Sequence, residues 1–277
     1  MNVTHEDLKA LKPDALSPAE TVIKAETLGK TKTAMPFGTC FVSAMLAGAF
    51  VAFGALYFCV FMGDPSIPFA VQRVVGGVCF CLGLVLVLCC GAELFTGNTL
   101  LICAKASGEI RWRDTFKNWA TVWLGNLAGA LMTVGLVYLA QVFAMNDGAV
   151  GEARVSVAAG KVSPAWVTLF FNGVMCNIFV CLAVWIGFSA RTVTDKVLGV
   201  LLPISAFVAC GFEHCVANMF FLPLGLLLNA LGVGDAGAVT LGGIFYNLSA
   251  ATIGNIVGGV LVGLAYWYIY RRKSSDR

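Results

Sequence analysis

Two matched stretches interrupt the apolar sequence and decide how it folds. The first reads Gly91-Ala92-Glu93-Leu94-Phe95-Thr96-Gly97-Asn98, and 120 residues later comes Gly211-Phe212-Glu213-His214-Cys215-Val216-Ala217-Asn218. Of the seven glutamates, only Glu93 and Glu213 stand within apolar runs. A carboxylate in such a run is expensive in a bilayer and usually marks a functional site. The Gly and Asn residues beside each carboxylate predict a helix break over residues 93–98 and a second break directly after Gly211.

The composition places the chain in a membrane. Of 277 residues, 59% are hydrophobic and only 12% are charged, against about 45–50% and about 25% in soluble domains. This excludes a soluble enzyme, a disordered chain and a nucleic-acid binder. A helical span needs about 20 apolar residues, and the apolar runs fit six transmembrane helices. They cover residues 37–61, 74–104, 118–144, 165–188, 197–228 and 248–270.

The sequence also repeats internally. Leu124-Gly125-Asn126-Leu127 matches Ile253-Gly254-Asn255-Ile256 at an offset of 129 residues. A unit of three spans is odd, so its two copies must have inverted orientations, and such repeats place binding sites near the midplane at broken helices. We predict an all-α membrane protein with spans 2 and 5 broken. Its first repeat covers about 37–144 and its second about 165–270, within a channel domain of 37–270.

The segments outside the channel domain are polar. Residues 1–36 form an N-terminal segment in which Ser17-Pro18-Ala19-Glu20 predicts a capped short amphipathic helix, and residues 271–277 form a tail. With both ends inside, 15 of the 18 Lys and Arg residues lie on the inner side, which predicts two cytoplasmic termini. The 11 cysteines lie inside apolar runs and lack metal-ligand spacing. We therefore expect no metal and no cofactor.

Several polar side chains in the apolar runs are candidates for chemistry. His214 stands at the second break, and an imidazole can exchange a proton near neutral pH. Thr96 either donates its hydroxyl to a passing anion or caps a half-helix. Asn177 is either a pore contact or an interhelical hydrogen-bonding group. Lys161 either concentrates anions at a pore mouth or is an ordinary interfacial lysine.

The carboxylates have a more structural expected role. A carboxylate beside a helix break can accept backbone N–H bonds and fix the loop. We assign loop anchoring to Glu93, Glu213 and the matched amides Asn98, Asn218 and Asn255. Direct work on protons or on the substrate is the alternative for the two glutamates.

These motifs resemble the formate/nitrite transporter family, from about residue 20 to the C-terminus. The similarity lies in the residues from Cys90 to Thr99, in Ala104-Lys105-Ala106-Ser107-Gly108, in the residues from Gly211 to Met219 and in Thr252-Ile253-Gly254-Asn255. Lys117-Asn118-Trp119 and Cys181-Leu182-Ala183-Val184-Trp185 are most similar to its formate-channel branch. The resemblance implies an aquaporin-like protomer in a homopentamer of the bacterial cytoplasmic (inner) membrane.

The resemblance also implies pore roles. His214 is then the central pore histidine, Thr96 its partner from the first break, and Lys161 with Asn177 the vestibule pair. Phe80 and Phe207 form an outer apolar constriction, and Leu84, Leu94 and Ala217 an inner one. The N-terminal helix, about residues 18–34, is expected to gate the cytoplasmic mouth.

The predicted function is pH-dependent transport of small monovalent anions, above all formate, with proton exchange at His214. Gly97 follows Thr96 where some formate channels carry a small hydroxyl residue, so nitrite, hydrosulfide, acetate and lactate remain alternative substrates. A neutral-solute channel of the aquaglyceroporin type is a second class. A membrane enzyme with Glu213 and His214 as an acid/base pair is a third, but the sequence offers no nucleophile or cofactor motif for it.

Overall fold

The computed structural model describes residues 14–235 and 237–272, and most of the predicted tail 271–277 lies outside them. The described chain contains six apolar helices long enough to cross a membrane, so it is a multi-pass membrane protein. We number these spans 1 to 6 in chain order: Phe37–Met62, Phe69–Gly91, Trp112–Leu139, Trp166–Ser189, Val193–Cys210 and Leu241–Tyr270. Large apolar side chains on the outside, such as Leu202 (75% exposed) and Phe245 (72% exposed), present the surface that lipid or a neighbouring protomer requires.

Shorter helices complete the fold. In spans 2 and 5 the first helix ends at a break, and a second half follows the break in the sequence. In span 2 the second half consists of Phe95–Asn98, a 3₁₀ turn Thr99–Leu101 and Ile102–Ala106. In span 5 it is Cys215–Ala230. The N-terminal helix is Pro18–Ala34, and the helix that links the two repeats, here the bridging helix, is Ala149–Val162, preceded by a 3₁₀ turn Val142–Ala144.

The helix starts differ from the predicted apolar runs. Spans 2, 3 and 6 begin at Phe69, Trp112 and Leu241 rather than at 74, 118 and 248, because each helix also includes the polar residue that bounds its apolar run, which is Arg73, Lys117 or Asn247. The predicted capping box at Ser17 and Glu20 is confirmed. Span 4 is capped by Ala165, and the Ser163 hydroxyl before it donates to the carbonyl of Gly160.

Both predicted breaks are present, and one is displaced. In span 2 a π-helical turn, Val87–Gly91, leads to Gly91 at φ +80°, and the chain is extended at 92–94 before the helix resumes at Phe95. The prediction of a break over 93–98 is therefore wrong in register, since Phe95–Asn98 is helical. In span 5, Gly211 has φ +78° and the helix resumes at Cys215. Glycine adopts this left-handed conformation without the strain of a Cβ.

Glycines let paired spans approach closely within the chain. A Cβ on Gly129 of span 3 would overlap the carbonyl oxygen of Met45 in span 1, and a Cβ on Gly258 of span 6 would overlap that of Val174 in span 4. The contacts of Gly129 and Gly258 lie within the chain.

A glycine pair on span 3 tests this packing. We expect Gly129→Ala to lower the free energy of unfolding by about 1–3 kcal/mol, because the added methyl meets backbone that cannot yield. Gly135→Ala on the same helix is the control, since a Cβ there meets nothing within 4 Å. Detergent unfolding titrations of both variants provide the measurement. Equal losses in the two variants would contradict the assignment.

Candidate functional site

A cavity of about 250 Å³ leads from the bridging helix to the second helix break. His214 and Glu213 line it at the break, and Lys161 lines it on the bridging helix. Its other polar lining includes Arg73 of span 2, and its apolar lining includes Phe58, Phe80, Phe207, Ala217 and Phe221. The cavity thus joins two cationic side chains to a histidine along an aromatic wall.

His214 forms the N-cap of the second half of span 5. Its Nδ1 accepts a hydrogen bond from the backbone N–H of Ala217 at 3.0 Å, and its Nε2 lies 3.0 Å from the Thr96 hydroxyl. Both side chains are almost fully buried. Thr96 stands inside the helix Phe95–Asn98, whose N-cap is Leu94, so it contacts the histidine rather than capping a half-helix.

The cap determines which nitrogen of the neutral ring carries the proton. Nδ1 accepts a bond from an N–H group, so it has no hydrogen of its own, and the proton of the neutral imidazole must be on Nε2. Nε2 therefore donates toward the Thr96 hydroxyl. A proton added to Nδ1 would require the Ala217 N–H bond to break.

The aromatic wall beside the histidine is a packed pair. The rings of Phe80 and Phe207 meet edge to face with centroids 5.7 Å apart, and Phe207 stacks on His214 at 5.9 Å. The structure therefore brings the two residues of the predicted outer constriction together. Of the three residues of the predicted inner constriction, Ala217 lines the cavity. Leu84 and Leu94 are buried and are not part of its lining.

A buried ionic network holds the second break. The carboxylate of Glu213 bonds Lys161 Nζ at 3.1 Å and accepts from the amides of Asn218 and Asn247 at 2.6 and 3.0 Å. Asn247 also donates to the carbonyl of Lys161. Lys161 therefore lies at the mouth of the cavity, with its charge paired to Glu213.

An equivalent network holds the first break. The carboxylate of Glu93 bonds Lys32 Nζ at 2.8 Å and accepts from the Asn98 amide at 2.7 Å. Asn98 also donates to Asn118, and Asn118 donates to the carbonyl of Lys32. The sequence analysis missed Lys32, Asn118 and Asn247. The offset of 129 residues that separates Lys32 from Lys161 and Asn118 from Asn247 was the signal that would have found them.

One asparagine on the last span of each repeat clamps the extended backbone of its break. Asn255 accepts from the N–H of Cys215 at 2.9 Å and donates to the carbonyls of Gly173 and Glu213, both at 2.8 Å. Asn126 bonds Phe95, Ala44 and Glu93 in the same way. These three bonds to the backbone are the contacts that the anchoring role predicted for Asn255 requires.

Asn177 makes interhelical hydrogen bonds. Its amide nitrogen donates to the carbonyls of Thr96 and Asn255 and to the hydroxyl of Thr99. Its side chain is fully buried and is not part of the lining of the cavity at Lys161. Of its two sequence interpretations, these contacts favour the interhelical one, with Asn177 standing behind Thr96.

The clamp at the second break has a measurable energy. We expect Asn255→Ala to lower the free energy of unfolding by about 3 kcal/mol, because it leaves three buried backbone groups without their partner. Ser163→Ala is the control: its hydroxyl bonds one carbonyl, that of Gly160, and the expected loss is under about 1 kcal/mol. Unfolding titrations in detergent compare the two. Similar losses would mean that Asn255 does not carry the break.

Comparison with known proteins shows which proteins this chain is similar to. The profile described as formate/nitrite transporter matches residues 19–268. The chain is 40% identical to "Formate channel FocA" of Escherichia coli K12, over 96% of this chain and 99% of the relative. Two solved structures are also similar. One, described as a pentameric formate channel with formate bound, has a TM-score of 0.79 at 37% identity and covers 84% of this chain and 97% of its own. The other, described as an FNT family ion channel, has a TM-score of 0.80 at 32% identity and covers 90% and 98%. The chain belongs to the formate/nitrite transporter family.

Proposed function

We propose that the protein is a channel or transporter for small monovalent anions, with formate as its main substrate. The observation that carries this proposal is a cavity that leads past two cationic side chains to a buried histidine–threonine pair. A neutral-solute channel has no need for such groups. The formate channels among the relatives support the choice of substrate, and nitrite, hydrosulfide, acetate and lactate are the alternatives within the family.

The apolar wall sets the energetic problem. Moving a bare carboxylate into a low-dielectric site costs on the order of 20 kcal/mol in the Born limit. Protonating a simple carboxylic acid with a pKa of about 3.9 costs about 4 kcal/mol at pH 7. We infer that the anion approaches along the Lys161 side and crosses the narrowest part, between Phe80, Phe207 and the inner residues Leu84, Leu94 and Ala217, as the neutral acid.

His214 is the group placed to exchange that proton. The neutral ring offers the Nε2 hydrogen to a substrate oxygen that replaces or joins the Thr96 hydroxyl. To give the proton away, the ring must first take up another at Nδ1, and the Ala217 cap must open. Proton exchange is therefore coupled to a local change at the start of the second half of span 5.

The N-terminal helix is the proposed gate at the opposite mouth. Three ion pairs connect it with the rest of the chain: Glu26 with Arg271 at 3.0 Å, Lys30 with Glu109 at 3.1 Å, and Lys32 with Glu93 at 2.8 Å. Ser107 also bonds the Glu26 carboxylate. Release of these ion pairs would free the helix from the mouth.

The proposed topology places both termini in the cytoplasm of a bacterial cell, with the chain in its cytoplasmic membrane. Positive charges lie close together on the side of the protein that carries the N-terminal helix. Burial and the nearby charges of Lys196 and Arg191 lower the pKa of Lys24. Such a face is the cytoplasmic one by the positive-inside rule. We also propose a homopentamer, and a division into segment 1–36, channel domain 37–270 and tail 271–277.

Transport explains the buried charges better than catalysis. In an acid/base enzyme Glu213 would orient His214. Here the Glu213 carboxylate instead bonds Lys161, Asn218 and Asn247, and His214 bonds Thr96 and Ala217.

His214→Asn in proteoliposomes tests the transport function. Asparagine is a good N-cap, so the fold should persist while the exchangeable proton is lost. Wild-type formate uptake should change several-fold between pH 5 and pH 8, because transport requires a proton exchanged at His214, and uptake by the variant should change less than about twofold. His5→Gln is the control. An unchanged pH dependence would refute the exchange, and glycerol permeation without formate uptake would favour the neutral-solute channel.

The tautomer can be measured directly. In a His5→Gln protein labelled with ¹⁵N at histidine, the one remaining ring should show a protonated Nε2 and an unprotonated Nδ1 at pH 8. This follows from the Ala217 cap. Chemical shifts of the opposite tautomer would remove the physical basis for coupling the proton to the helix cap.

A further inference from the structure

Each broken span supplies a cation to the end of the other. Arg73, near the start of span 2, donates from Nε to the carbonyl of Ala209 at 3.0 Å and from Nη2 to that of Val208 at 2.7 Å. These carbonyls belong to the last turn of the first half of span 5. Lys196, near the start of span 5, reaches the carbonyl of Leu88 in the last turns of span 2 at 3.4 Å. Leu88 and Val208 are separated by 120 residues, the offset of the matched breaks.

These helix ends are electrically unfavourable for anions. The last carbonyls of a helix lack intrahelical partners and together carry about half a negative charge. Val208 and Gly211 line the cavity that leads to His214. An anion in that cavity therefore approaches the negative end of a half-helix, which repels it unless a cation caps the end.

Arg73 is placed to supply that charge. It lines the same cavity and lies 5.8 Å from the centroid of the Phe58 ring. Lys161, the other lysine or arginine in the lining, is paired with the Glu213 carboxylate at 3.1 Å. In the described part of the chain the hydrogen bonds of Arg73 go to carbonyl oxygens, so its positive charge is not cancelled by a carboxylate partner.

We propose that Arg73 is a positioning residue that neutralises the helix end at the mouth beside the bridging helix, and thereby sets how readily anions reach His214. Lys196 is its counterpart at the mouth beside the N-terminal helix. The inference rests on the proposed anion transport. It assigns the attraction of anions at the mouth beside the bridging helix mainly to Arg73, because the charge of Lys161 is balanced by Glu213.

The test separates charge from hydrogen bonding. Arg73→Gln retains an N–H donor for the carbonyls but removes the charge, and Arg73→Lys retains the charge. Initial formate flux is measured from each face in vesicles sorted for one orientation, at about 10 mM and about 1 M ionic strength. The Debye length falls from about 30 Å to about 3 Å over that range.

The expected result is specific to one face and to low salt. Arg73→Gln should raise the KM for formate arriving on the bridging-helix face roughly threefold to tenfold at low salt, with little change in maximal rate, and the difference should vanish at high salt. Arg73→Lys should behave as the wild-type protein. Lys196→Gln should show the same pattern on the opposite face, which provides a second test if Arg73→Gln fails to fold.

Three outcomes would overturn the proposal. They are an unchanged KM for formate in Arg73→Gln, a rise in KM that does not depend on salt, and an equal rise in KM in Arg73→Gln and Arg73→Lys. Each would be observed in a preparation whose wild-type protein transports formate, so the proposed function would stand. Absence of formate flux in the wild-type protein would instead refute the proposed function.

Discussion

A carboxylate buried where a membrane helix stops is the constraint on which the rest of this structure depends. A break inside a bilayer exposes backbone groups that only other protein groups can satisfy. Asn126 and Asn255 take up those backbone groups, and the Glu93 and Glu213 side chains fix the asparagines of the following half-helices. Each carboxylate is balanced by one lysine. Because every member satisfies another, the loss of one would leave several buried groups unpaired.

Much of this architecture could be read from the sequence, since the apolar runs and the two matched glutamates are local signals. The six spans, the two breaks and the importance of residues 93 and 213 follow from them. The position of the first break does not. Gly97 and Asn98 are helix-breaking residues by propensity, but the contacts of Asn98 with Glu93 and Asn118 hold this segment helical. Tertiary hydrogen bonds outweigh propensity there.

The residues that the sequence did not predict have partners that lie far away along the chain. Lys32 lies in a polar segment, 61 residues before its partner Glu93, and nothing in the local sequence assigns it to the membrane interior. Arg73 stands just before an apolar run, where an arginine is typical of a loop. Only the folded chain brings its guanidinium to a helix end 135 and 136 residues away. Long-range electrostatic partners of this kind become visible from sequence only through the internal offsets.

The N-terminal helix and the bridging helix are equivalent parts of the molecule. Lys32 and Lys161 stand in the last turn of their helices and bind equivalent glutamates and asparagines. The duplicated unit is therefore one helix followed by three spans, which makes it larger than the apolar sequence alone suggests.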